Sequence, residues 1–343
     1  MKINAQCPKR FHWIGRFVPV FVFLCLFLFV LSADARKVRI ATYNVEHGVG
    51  KPGSEKYEAL KAILARADAD VVAFQELKRE TFNEWGRLAE ELGYIAKAWG
   101  DIGPFSGNMV VGFFSRFPIT DIHSVPSPEG TREFSRIPQR IVVQVPGAAR
   151  PLVLWNMHHK AMFMWRDNFR RAIEAMRIVQ DIERYLEANR DHVEFIVLGD
   201  MNDDVAREDQ SYHFRSQPSR LPSSYVLGSD IEFPVRYQVF PTDRYAKAGG
   251  GMCHVPAFRQ GSTNTITHLH TNYTLDYVFV SDAIWNNPAG RPVGEIYHSE
   301  WDGPEGGLKK AGDPLPTHTS LQASDHYPVF VDLHMEDAGV QRN

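Results

Sequence analysis

The sequence predicts an α/β fold in which helices cover two packed β-sheets. Three observations lead there. Apolar runs of strand length recur from residue 37 to residue 333. One long helical stripe, residues 167–189, divides them into two groups. No clear linker separates the groups, so one domain is expected within residues 36–343. Composition agrees: 343 residues, 44% hydrophobic and 23% charged, suit a soluble globular protein with a sizeable core.

Taken in order, residues 37–44 alternate and read as a strand. Ser54 is placed to cap a helix that carries Leu60, Ile63 and Leu64 at helical spacing. Residues 71–74 form a short buried strand running into Gln75-Glu76. Thr81 and Glu84 read as a capping box, with Trp85, Leu88 and Leu92 on one helical face after it. Strands follow at 109–114 and 119–123, then a hairpin, 141–145 with 152–156, around Pro146-Gly147. The long helix has an inner stripe of Phe169, Ile173, Met176, Val179, Ile182 and Leu186. Residues 195–198 return as a strand into Gly199-Asp200. Periodicity is weak from 204 to 274, which reads as short helix and strand pieces with exposed loops. The last strands are 275–280 and 329–333.

The first 35 residues differ. Lys2, Lys9, Arg10 and Arg16 precede an apolar run at 17–31, and Ala33-Asp34-Ala35 follows. That layout reads as a secretory leader cleaved after Ala35, with an uncleaved membrane anchor as the alternative, and the run is shorter than the roughly 20 residues a spanning helix needs. The domain is therefore expected in the periplasm or outside the cell. The formal net charge is −3, and losing the leader makes the chain more acidic still. Bulk binding to a phosphate backbone is not indicated; a local basic patch is the remaining route to nucleic acid. Cys7 and Cys25 lie in the leader, which leaves Cys253 alone and no intrachain disulfide.

The residues that carry chemistry stand at strand ends. Asp200 and Asn202 follow the apolar 195–198 run, where Asp200 would orient and deprotonate a water and Asn202 would hold it or a phosphate oxygen. Glu76 leaves its strand as a carboxylate suited to a hard cation such as Mg²⁺. Asn44 and Glu46, two apart, would share one side of an extended chain, Asn44 for phosphate and Glu46 for metal. Asn156 and His158 repeat that spacing, with His158 aimed at developing phosphate charge and His159 facing away. Asp276, inside an apolar strand, needs a partner; His326 is the candidate, with Asp325 beside it turned toward metal. Singly, each is also what a turn or a polar strand exit looks like. His268 and His270 read as an exposed loop or edge strand.

In this order and context, these residues resemble the endonuclease/exonuclease/phosphatase superfamily. It includes secreted deoxyribonucleases, abasic-site endonucleases, neutral sphingomyelinases and inositol polyphosphate 5-phosphatases. The resemblance runs from about residue 38 to 333 and takes in Ser115-Arg116-Phe117-Pro118-Ile119. It implies a four-layer α/β sandwich, two mostly antiparallel sheets flanked by helices. It also implies roles: Glu76 as the principal Mg²⁺ ligand, with Mn²⁺ or Ca²⁺ as alternatives, and Asn44 near metal and phosphate. His158 resembles the histidine of the deoxyribonuclease and sphingomyelinase branches, Asp200 and Asn202 the water-activating pair, and Asp276 with His326 the aspartate–histidine pair. Asp325 is the neighbouring acid. Glu46 stands where many relatives carry Asp or another residue. The Asn156-Met157-His158 sequence departs from the tyrosine of the abasic-site branch.

The expected activity is metal-dependent hydrolysis of a phosphoester by an exported, monomeric enzyme. Lys160, Arg166, Arg170 and Arg171, interleaved with Met162, Phe163, Met164 and Trp165, suggest a basic and aromatic rim that would grip nucleic acid. Lys160 and Arg166 are the substrate-binding candidates, beside Asn44 and Asn156. A phospholipid or sphingolipid phosphodiesterase is the alternative, and a binding module that has lost catalysis is the rival of another class.

Overall fold

A computed structural model describes residues 36–204, 212–237, 252–303 and 307–339. The expected leader at 1–35 lies outside the described residues. The chain runs β1 (Arg36–Asn44), α1 (Glu55–Ala67), β2 (Val71–Lys78), α2 (Phe82–Glu91), β3 (Ala96–Trp99), β4 (Met109–Ser115), β5 (Ile119–Ser124), β6 (Gln139–Val143) and β7 (Leu152–His158). It continues through α3 (Trp165–Ala188), β8 (Phe195–Asp200), β9 (Tyr212–Phe214), β10 (Val235–Tyr237), β11 (Met252–His254), β12 (Ala257–Arg259) and β13 (Asp276–Ser281). The last elements are α4 (Asp282–Trp285), β14 (Val293–Ile296), α5 (Thr319–Ala323) and β15 (Val329–Met335).

The strands form two large mixed sheets. One has seven strands in the order β12-β14-β15-β1-β2-β4-β3, the other six in the order β11-β13-β8-β7-β6-β5. Most neighbours are antiparallel; β1–β2, β7–β8 and β12–β14 are parallel. Period-two alternation assigns the faces. Val38, Ile40, Val71 and Ala73 of the first sheet meet Leu152, Leu154, Ile196, Leu198, Val278 and Val280 of the second in the central core. The opposite face of the first sheet, Tyr43, Phe74 and Phe330 among it, packs on Leu60, Ile63, Trp85 and Leu88 of α1 and α2. The opposite face of the second, with Val153, Trp155, Val197 and Phe279, packs on Phe169, Ile173, Ile178 and Ile182 of α3. Helices, sheet, sheet and helix make the four-layer α/β sandwich that the resemblance implies, and agree with the two helix-covered sheets read from the strand and helix pattern. No helix among the described residues is long and apolar enough to cross a membrane.

Local expectations fared unevenly. Ser54 caps α1, accepting from Tyr57 N. The Thr81–Glu84 capping box does not form: Thr81 Oγ1 donates back to Lys78 O at 2.8 Å, because a 3₁₀ turn at Arg79–Thr81 precedes α2. Strands β3 and β14 were not anticipated; at four residues each they are too short to show periodicity. The described part of 204–274 holds short strands, β9 to β12, and no helix.

Candidate active site

Strand parity builds the site. Val38, Ile40, Thr42 and Asn44 lie on one face of β1; Leu152, Leu154, Asn156 and His158 on one face of β7; Ile196, Leu198 and Asp200 on one face of β8. Each series is apolar where the two sheets meet and turns polar at the strand end. The register then aligns the ends. His158 pairs with Asp200 across the parallel β7–β8 ladder, and Asp276 pairs with Asp200 across the antiparallel β8–β13 ladder. Three side chains thus form one row, and Asn44 reaches them from the other sheet.

Asp200 is the hub. Its Oδ2 accepts a hydrogen bond from Asn44 Nδ2 at 3.0 Å and lies 3.4 Å from His158 Nε2 and 3.8 Å from His326 Nε2. Its Oδ1 accepts from the backbone N–H of Asn202 at 2.8 Å, while Asn202 Nδ2 donates to His159 O at 3.1 Å. Asn202 therefore fixes the carboxylate through its main chain. The preceding residue must be glycine: Gly199 has φ +140°, and a Cβ there would come 2.0 Å from Met157 O.

Burial and partners set the charges. Burial, then the Asp276 carboxylate, pushes the Asp200 pKa up, against the counter-pull of His326 and Asn44. Burial would lower His326, but Asp276, hydrogen-bonded to its Nδ1 at 2.8 Å, and Asp200 raise it well above an ordinary histidine. His326 is an imidazolium at neutral pH. His158 goes the other way: burial, then the positive charges of Arg136 and His326, hold it far below its usual value, so it is neutral.

A second group of acids lies beside this row. Glu76 sits at a β-bulge where the β2–β4 register shifts between Phe74 and Leu77, with φ +61°. The bulge sends Gln75 into the core and turns Glu76 out, 3.4 Å from Asn44 Nδ2 and 3.8 Å from His158 Nε2. Glu46, at φ +44°, has left the strand geometry that the spacing from Asn44 suggested; its Oε2 accepts from Asp325 N at 3.2 Å. Burial lowers the Lys56 pKa, opposed by the negative charges of Glu46, Asp325 and Glu76 in that order. One ammonium therefore senses all three carboxylates. Hard oxygen donors of this kind suit a divalent cation that retains several waters. The tightest acid–histidine groups among the described residues, each within 4.8 Å, are His268, Asp325 and His326, and Asp200, Asp276 and His326. Glu76 and Glu46 belong to neither. The Nδ1 of His326 is committed to Asp276, and Glu76, Glu46 and Asp325 supply the hard oxygen donors that such a cation prefers.

Two groups of expected site residues are placed otherwise. Asn156 is wholly buried: its Oδ1 accepts from Gln75 Nε2 at 2.7 Å, and its Nδ2 donates to Phe74 O and Gly112 O, both at 2.9 Å. It ties the two sheets together one step below His158 and has no amide left for substrate. Arg170 and Arg171 are buried too. Arg170 donates to Ser135 Oγ and stacks over Phe105 and Tyr225. Arg171 pairs with Asp203 at 3.4 Å and donates to two loop carbonyls, Lys160 O and Met162 O. Arg171 braces the loop after His158, Arg170 holds the segment before β6 through Ser135, and neither forms a rim. Lys160 is half-buried, its ammonium on Ala161 O; Arg166 is exposed. His159 does face away, bonded to Glu174 at 3.0 Å.

Sequence reasoning missed His268, Lys56 and His47. The His268 ring stands edge-on to His326 at 4.6 Å, and its Nε2 is 3.4 Å from Asp325 Oδ2. His47 Nδ1 lies 3.0 Å from Glu76 Oε2. No pattern marks any of them, because each arrives on a loop or a helix from outside the strand ends.

Comparison with known proteins fits this geometry. No curated protein matches the sequence. Solved structures do. The catalytic domain of human Nocturnin with bound sulfate superimposes with a TM-score of 0.54 at 16% identity, over 88% of this chain and 96% of that one. Truncated TDP2 from Caenorhabditis elegans gives 0.52 at 12%, over 87% and 98%. An endonuclease/exonuclease/phosphatase from Beutenbergia cavernae gives 0.54 at 17%, over 89% and 73%. Identities this low speak to the fold alone. The sequence profile of the Endonuclease/Exonuclease/phosphatase family matches residues 41–326, a span that opens in β1 and closes on His326. The chain belongs to that family of phosphoester hydrolases.

Proposed function

We propose that this chain is an exported, Mg²⁺-dependent phosphodiesterase of the endonuclease type that acts on nucleic acid by in-line attack of water. The observation that carries the reading is the surround of Asp200 Oδ2: Asn44, His158 and His326 ring it, with Asp276 behind His326. Export rests on the N-terminal sequence, with its basic start and 17–31 apolar run.

Asp200, its basicity raised by burial, takes a proton from the attacking water. Asn44 and the Asn202 N–H fix the direction of its carboxylate. His158 is neutral, and two carboxylates near Nε2 favour the proton there. It donates a hydrogen bond to a phosphate oxygen as charge gathers. His326, held protonated by Asp276, gives its Nε2 proton to the leaving oxygen. Glu76, Glu46 and Asp325 would hold the cation, which when bound neutralises charge on the phosphate.

The test is one panel, with and without chelator: plasmid DNA, RNA, sphingomyelin, phosphoinositides and bis-nitrophenyl phosphate. Expected is diester cleavage that stops in excess chelator and on Asp200→Ala or His326→Ala. Wild-type-like turnover in either folded variant, or cleavage that survives chelation, rejects the mechanism. The lipid reading has one observation in its favour, the exposed run Met162, Phe163, Met164 and Trp165, and sphingomyelin cleavage in the same panel would select it.

A further inference from the structure

Within α3, Arg170, Arg171 and Arg177 are all buried against partners, and Arg177 is paired with Glu133 and Asp230. Arg184 is exposed and lies 3.8 Å from Asp181; Arg166 is exposed, and among the described residues no carboxylate pairs with it. Two more arginines of the same kind, Arg215 and Arg220, come from the segment after β9. All three line a hollow of about 710 Å³, and Arg166 and Arg220, with Met164, also line a second of about 660 Å³, where Asp167 lies beside them. Together these form one trough.

Its floor is aromatic as well as basic. Trp165, 53% exposed, stands 4.3 Å from Phe214. Phe214 is buried and braced by Phe169 of α3 at 5.1 Å. The Phe214 ring backs the indole at an interplanar angle of 44°. A chain of contacts also ties the edge of the trough to the catalytic row. Phe163 meets Tyr273 edge-on at 5.5 Å, Tyr273 bridges to His268 through the backbone, and the His268 ring touches that of His326. Lys160, two residues after His158, lines the inner hollow.

We propose that this trough is a binding site for the single-stranded flank of a polynucleotide, with a base stacked on Trp165 and phosphates on Arg166, Arg215 and Arg220. The proposal rests on the nuclease reading of the active site and extends it to a subsite. A stacking platform beside spaced cations that pair with no carboxylate among the described residues is the chemistry that holds a strand without reading its sequence. A membrane contact asks for a continuous apolar face with cations at its edge. The run Met162–Trp165 supplies an apolar edge, but Ser216, Gln217 and Ser219 share the rest of the lining with the arginines, which favours a strand.

The test is equilibrium binding of a fluorescein-labelled single-stranded dodecamer, as DNA and as RNA, to the full chain in chelator. This readout does not pass through hydrolysis, so a chain that grips the strand and cleaves nothing fails the active-site reading alone. Trp165→Ala should weaken binding about tenfold, and Trp165→Phe, which keeps a stacking face, should restore most of it. Arg215→Gln with Arg220→Gln should flatten the slope of log affinity against log salt by about 1.4, the release at two phosphates. Circular dichroism and Tm check that each variant folds, and the double Arg→Lys variant should keep the salt slope. The proposal is overturned if wild type binds neither strand, or if folded variants bind as wild type does. It is also overturned if the substitutions abolish binding to phosphatidylglycerol vesicles and leave strand binding intact.

Discussion

Asp276 Oδ2 and His326 Nδ1 are 2.8 Å apart, and both side chains are buried. The contact fixes the ring and its charge together, because Nδ1–H on a carboxylate leaves Nε2 to face Asp200 at 3.8 Å. Asp276→Asn keeps the shape and removes the charge. His326 would then lose the main influence raising its pKa and feel burial, which lowers it. The expected outcome is a turnover loss of about 10²- to 10⁴-fold at neutral pH, with the alkaline limb of the pH–rate profile moved to lower pH. An unchanged alkaline limb would remove His326 from the role of acid.

The acid limb belongs to Asp200. Its pKa lies above the ordinary carboxylate range, so activity should fall as pH drops through that raised value and the base becomes protonated. The Asn44 Nδ2–H favours the charged form, so Asn44→Ala should raise the Asp200 pKa further and move the acid limb up. A hydrogen bond to a charged group is worth about 1.5–3 kcal/mol, and about 1.4 kcal/mol is one pH unit. A shift of about one unit upward is expected in kcat against pH; a downward shift would contradict the contact.

Much of this site was legible because it lies on strand parity. Asn44, His158, Asp200 and Asp276 each share the parity of an inward-facing apolar series and stand at its polar end, a pattern visible without coordinates. Depth along the strand is not in the pattern, which is why Asn156, one step inside His158, was read as a substrate contact. Glu76 was found by residue type, but the bulge that turns it out leaves no periodic trace. Arg170 and Arg171 look like surface charge until Ser135 and Asp203, far off in sequence, supply their partners. His268 depends on a loop folding onto the end of β13.

Asn156 offers a separation of structure from catalysis. Asn156→Ala would take the side-chain donor from Phe74 O and Gly112 O and one of the two acceptors from Gln75 Nε2, which keeps only Thr42 Oγ1. A few kcal/mol of stability, about 3, should be lost, since each buried unsatisfied group costs about 1–3 kcal/mol. Urea unfolding should register that loss while KM on a small diester stays near wild type. A raised KM with unchanged stability would return Asn156 to the substrate.

Glu174 should dominate acid sensitivity behind the site. Burial alone would raise its pKa, but His159, Arg170 and Ser135 bring it down to about 2. It also accepts from Ser135 N at 2.7 Å and Lys160 N at 2.8 Å, so it anchors the loop that follows His158. Its folded pKa is depressed below the unfolded value of about 4.3. Its stabilising contribution is therefore fully present above about pH 4.3 and is lost as pH falls through the folded value near 2. The difference corresponds to about 3 kcal/mol at neutral pH. Glu174→Gln should cost a large part of that, and its stability should change less than that of wild type between pH 5 and about 2. Parallel denaturant titrations of both proteins across that window check it, and parallel slopes would show that the carboxylate charge contributes little.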